Sequence, residues 1–160
     1  MSETIANRVV IDASILIRAV KPEEDGHEDC IAALKKLHQK VKVGEIEIFE
    51  PPEFLLELHS VLTREAGKIN TSSMSFLTKD DQLWIKDIIF ITANDVSSFI
   101  KLLTTKYSTN QIRVRGAADL VYLWLSWRVN AALLSVDSGL LSYADQFKLI
   151  RPVEFLQHYK

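Results

Sequence analysis

Short apolar runs alternate along this chain with longer stretches in which apolar residues recur every three or four positions. The runs Val9–Ile11, Ile46–Phe49, Ile88–Thr92, Ala132–Val136 and Phe147–Ile150 have strand length and are bounded by polar or turn residues. Helical spacing between them predicts helices over Ser14–Ala19, Glu28–Val41, Pro52–Ala66, Asp95–Lys106, Ala117–Val129 and Leu140–Asp145. Strands that alternate with helices in this way predict a layered α/β domain with a mostly parallel central sheet. The least patterned segment is 67–87, which opens with "GKINTSSMSFLTKDD" and is read as a loop, a lid or a mobile insertion.

Composition narrows the picture only by exclusion. With 160 residues, 48% of them hydrophobic and 25% charged, the chain suits a single globular domain. Its formal net charge of −2 gives no global attraction to nucleic acid or anionic membrane, so any polyanion must be held by a local patch. Cys30 is the sole cysteine, which rules out a disulfide framework and a cysteine-rich zinc site. The first residues, "MSETIANR", lack the basic start and apolar stretch of a signal peptide. No apolar run approaches the roughly 20 residues that span a bilayer. A cytoplasmic protein is therefore expected.

The candidate chemistry lies in acids placed where apolar neighbours dominate. Two predicted strands end on aspartate: Asp12 follows "VVI" and Asp137 follows "LLSV". Sites in open parallel sheets form beyond the carboxyl ends of strands, where strand order reverses. If these two strands flank that reversal, their axes lie about 4.8 Å apart and the two carboxylates face each other. Glu57 borders the stripe Phe54, Leu55, Leu58, Val61 and Leu62 on the proline-led helix "PPEFLLELHSVL". Asp119 stands in the first turn of "GAADLVYLWLSW", a helix apolar almost all round. Taken singly, each acid has a plainer reading. The two aspartates could be turn formers, Glu57 a solvated flank, and Asp119 an anion favoured by the helix dipole.

Together they carry a different argument. Two carboxylates about 5 Å apart repel by roughly 3 kcal/mol at an effective dielectric near 20. Four converging would oppose folding by a large part of a typical stability of about 5–15 kcal/mol. Such a cluster must take up protons, admit water and cations, or bind a divalent ion. Oxygen-only donors suit Mg²⁺ or Mn²⁺, and ions of this kind can activate a phosphodiester without a protein nucleophile.

With those residues in view, the chain resembles the PIN domain (named from the PilT N-terminus), above all the toxin subunits of VapBC toxin–antitoxin pairs. The likeness rests on four ordered pieces: "VVIDASILI" with Asp12, "PPEFLLELHSVL" with Glu57, "AADLVYLWL" with Asp119, and "LLSVD" with Ser135 and Asp137. The resemblance implies a three-layer α/β/α fold and a Mg²⁺- or Mn²⁺-dependent endoribonuclease. It makes Asp12, Glu57, Asp119 and Asp137 the metal-binding and catalytic acids, with the Ser135 hydroxyl supporting them. It further implies an RNA substrate, a homodimer and an antitoxin protein lying across the site. Ser135 stands where threonine is commoner, and "DSGLL" lacks a further acid that some members carry.

Other readings stay open at this level. A catalytically silent PIN scaffold would bind RNA or protein without cutting. A phosphatase using Asp12 as nucleophile would want a second aspartate where Ser14 stands. Arg113 and Arg115, ahead of the Asp119 helix, and Arg18 and Lys21, after the first strand, are candidates for phosphate contacts. Trp84, Trp124 and Trp127 could stack on bases, although helical context favours packing. The four histidines show no metal-ligand spacing.

Overall fold

The structure, a computed structural model, describes residues 7–64, 85–106 and 116–159. Among these residues five strands, β1 (Arg8–Ile11), β2 (Glu47–Glu50), β3 (Ile85–Ile88), β4 (Ala132–Leu134) and β5 (Leu149–Ile150), form one sheet in the order β3-β2-β1-β4-β5. Every pairing is parallel. β1 therefore sits centrally, covered on both faces, which is why Val9, Val10 and Ile11 are all buried without alternation. β3 lies at the edge, and Lys86 and Asp87 place exposed charges there, a common guard against pairing with another chain.

Seven helices fill the intervals among the described residues: α1 (Ala13–Ala19), α2 (His27–Lys42), α3 (Pro52–Arg64), α4 (Ala93–Lys106), α5 (Ala117–Arg128), α6 (Ser138–Leu141) and α7 (Pro152–His158). α1 packs against α2 and α3, and α2 against α7, making one layer. α5 lies on β1, β2 and β4 and touches α6. The right-handed crossover rule for parallel strands assigns these two groups to opposite faces of the sheet. The result is a three-layer α/β/α fold, and the sheet is parallel throughout rather than mostly so. No described helix is long and apolar enough to cross a membrane.

Several sequence-predicted boundaries move, each for a local reason. The third strand is Ile85–Ile88, not Ile88–Thr92. Its ladder closes where Ile89 N–H donates to Glu50 O at 2.9 Å. Thr92 instead starts α4: its N–H donates to Asp95 Oδ2 at 3.0 Å and its hydroxyl accepts from Asp95 N–H at 3.2 Å. The last part of 67–87 is thus an edge strand, while 67–84 lies outside the described residues. The last strand shortens to Leu149–Ile150. α6 starts earlier than predicted because Asp137 caps it, accepting from Leu140 N–H at 3.0 Å. α7 was not predicted; Pro152 opens it and Glu154 Oε2 accepts from Arg151 N–H at 2.8 Å. On α3, Phe54 and Leu58 are buried, but Leu55 is 36% exposed and does not belong to the buried stripe.

Candidate active site

The order β3-β2-β1-β4-β5 reverses direction between β1 and β4, and this is where the acids gather. Ile11 is in register with Leu134, and Asp12 N–H continues the ladder onto Leu134 O at 2.9 Å. Beyond that bond the two strands deliver Asp12 and, three residues past β4, Asp137. A cleft of about 480 Å³ opens here, lined by Asp12, Ala13, Ser14, Ile17, Leu56, Glu57, Ser60, Asp119 and Asp137. All four sequence-predicted acids border this single cleft, each supplied by a different part of the chain. Among the described residues, no three His, Cys, Asp or Glu side chains form a group that could hold a metal ion as placed.

Asp12 is buried, and hydroxyls surround it. Its Oδ2 accepts from Ser135 Oγ at 2.7 Å and from Ser14 Oγ in a very close contact. Burial raises the Asp12 pKa, with the hydroxyls opposing that rise and the Asp137 charge adding to it. Ser135 is itself fully buried and also accepts from Asp137 N–H at 3.0 Å, so one hydroxyl ties both strand-end acids together. Both aspartates also cap helices, Asp12 for α1 and Asp137 for α6. Their turn-forming role and their place in the cleft coexist.

Glu57 is half-buried on α3, facing the cleft, and its Oε2 accepts from the Tyr122 hydroxyl at 2.9 Å. Burial pushes its pKa up, the Tyr122 hydrogen bond opposes this, and Asp12, Asp119 and Glu53 add to the rise. Tyr122 is buried, and its own ionisation is strongly disfavoured by burial and then by Glu57, Glu50 and Asp12. Asp119 occupies the third position of α5, after Gly116, Ala117 and Ala118, close enough for its charge to act on Glu57.

Sequence reasoning missed three polar contributors. Glu50, the last residue of β2, is wholly buried, with Oε1 accepting from Ile11 N–H at 2.8 Å. Its Oε2 has no hydrogen-bond partner among the described residues. Burial drives its pKa well up, outweighing the Ile11 bond, and nearby Asp12 adds to the effect. An acid closing an apolar strand is the same signal that marked Asp12, but ending the strand at Phe49 hid it. Tyr122 follows Asp119 by one helical turn, a spacing that places both on one face. Ser14, noted only as an absent aspartate, is a donor to Asp12.

Arg113, Arg115 and Trp84 lie outside the described residues. Trp124 is core, as helical context predicts, whereas Trp127 is 43% exposed with its ring 5.9 Å from that of Phe99. No protein-family model matches the chain, and no curated protein does.

Proposed function

We propose that this chain is a PIN-type nuclease that hydrolyses RNA phosphodiester bonds with the aid of Mg²⁺ or Mn²⁺. The observation that carries this reading is the arrival of Asp12, Glu57, Asp119 and Asp137, from four separate elements, around one cleft at the switch point of a parallel sheet. Among the described residues, the lining offers carboxylate and hydroxyl oxygens and no nitrogen or sulfur side chain, a donor set suited to a hard divalent ion. Asp12, Glu57, Asp119 and Asp137 would hold it. Such an ion, when bound, supplies the positive charge that polarises a phosphodiester and acidifies water.

The chain's own residues prepare that site. Ser14 and Ser135 fix the Asp12 carboxylate, and Tyr122 fixes Glu57, so neither must be ordered when an ion arrives. Mutual repulsion and burial disfavour the fully ionised, empty cleft, which is the condition a cation relieves. Ile17 and Leu56 supply apolar wall on which a base or sugar can rest. Use of Asp12 as a phosphatase nucleophile fits less well, because Ser14 stands where a second acid would serve and instead donates to Asp12. As the toxin of a toxin–antitoxin pair, the protein would act in the cytoplasm as a homodimer and be held inactive by an antitoxin. These last points follow from the sequence resemblance.

The test is RNA cleavage by purified protein with Mg²⁺ or Mn²⁺, with excess EDTA, and with Asp12→Asn. Cleavage only by the wild type with metal supports the reading. Cleavage that survives EDTA overturns it, and RNA binding without cleavage under any condition leaves a silent scaffold.

A further inference from the structure

An all-acid cleft in a chain of net charge −2 repels the backbone it is proposed to cut, so a polyanion needs a cationic foothold nearby. A second hollow, of about 290 Å³, lies immediately behind the turn that carries Asp137. Arg18, Gly26, Asp29, Ser138 and Arg151 are among its lining residues. The two cavities share two pieces of chain. On α1, Ile17 lines the cleft and the next residue, Arg18, lines the hollow. After β4, Asp137 lines the cleft while its neighbours Val136 and Ser138 line the hollow. Residues adjacent in the chain thus line one and then the other, so cleft and hollow are neighbours.

The hollow brings two arginines beside one another's charge and close to acids. Arg18 Nε is a buried atom with no hydrogen-bond partner among the described residues. It lies 3.4 Å from Glu24 Oε2, while Lys21 Nζ lies 3.6 Å from the other oxygen of Glu24. One carboxylate is therefore shared between two cations. Asp29 contributes a further negative charge to the lining, but Arg151 contributes a further positive one, on an exposed side chain with no ion pair among the described residues. Of the residues that line the hollow, Arg18 and Arg151 are cationic and Asp29 is anionic, and Arg18 is also paired with Glu24 beside it. Two guanidinium groups across a small hollow suit a phosphate, because each presents a planar fork of donors.

We propose that the hollow between Arg18 and Arg151 seats a backbone phosphate of the RNA strand, beside the phosphodiester placed at the acidic cleft. This inference rests on the nuclease reading for the identity of the strand. It gives Arg18, at the end of α1, and Arg151, at the start of α7, a shared task.

The test uses the full chain without divalent metal and a short fluorescent single-stranded RNA, with binding followed by anisotropy across a salt series. Arg151→Gln and Arg18→Gln should each weaken binding about 3- to 10-fold and reduce the slope of log affinity against log salt by about 0.7. Lys101→Gln, on the exposed surface of α4, should leave both unchanged. Arg151 is exposed, so its variant remains informative if Arg18→Gln misfolds. Wild-type affinity and slope in Arg151→Gln, or no RNA binding by the wild type, overturns the phosphate seat. Metal-dependent cleavage is scored separately. A lost slope without any cleavage keeps the seat and removes the nuclease reading, and cleavage with an unchanged slope does the reverse.

Discussion

Ser135 Oγ donates a 2.7 Å hydrogen bond to Asp12 Oδ2, joining residues 123 positions apart in the chain. The same oxygen accepts from Asp137 N–H, so the ends of the two central strands are fastened at the point where the acids enter the cleft. A fully buried hydroxyl with two partners has little freedom, and its loss leaves both groups short of a bond.

Ser135→Ala is accordingly expected to destabilise the protein by about 1–3 kcal/mol in urea unfolding and to lower RNA cleavage at least tenfold. Ser135→Thr should retain most of the activity, since it keeps the hydroxyl. An alanine variant equal to wild type in both measurements would show that the bond orients nothing.

Stability should depend on pH through the buried acids. Glu50, Glu57 and Asp12 all have raised folded-state pKa values, so the folded protein takes up protons that the unfolded chain does not yet bind. Their contribution is fully present below the unfolded carboxylate range and is lost as pH rises through the raised folded values. In EDTA, thermal stability should increase as pH falls from 7 towards 5. Glu47 and Asp95, held low by Lys86 and by Thr92, act in the opposite sense only at and below the unfolded carboxylate range. Glu50→Gln should be more stable than wild type at pH 7 and should flatten the profile. A flat wild-type profile over this window would contradict the account.

Neutralising Glu57 separates stability from function. Glu57→Gln keeps an acceptor for Tyr122 and removes repulsion from Asp12, Asp119 and Glu53. The apo protein should gain roughly 0.5–1 kcal/mol, as often happens when a strained site is relieved, while cleavage falls at least about 100-fold. Loss of stability together with full activity would place Glu57 in the scaffold rather than in the chemistry.

What could be read in the sequence was whatever depended on local pattern. The run "VVI" before Asp12 and "ALL" ahead of Asp137 reported central parallel strands, because only doubly covered strands lack alternation. The helical periods around Glu57 and Asp119 were equally plain. The partners were not legible, because they depend on register. Glu50 reaches Ile11 N–H only because β2 pairs beside β1, and Tyr122 reaches Glu57 across 65 positions. The third strand was displaced because "IIFIT" is as apolar as a strand, yet the Thr92–Asp95 bonds commit its end to a helix cap. The arginines favoured for phosphate contact on sequence order, Arg113 and Arg115, lie outside the described residues. Arg18 entered the argument again only through the shape of the hollow beside Asp137.

The most direct measurement is a titration of the protein with Mn²⁺ followed by electron paramagnetic resonance, with Mg²⁺ as competitor. The account predicts that the wild type binds Mn²⁺, that Mg²⁺ displaces it, and that Asp12→Asn, Glu57→Gln, Asp119→Asn and Asp137→Asn each weaken binding at least about tenfold. Absence of binding by the wild type, or equal binding by all four variants, would contradict it.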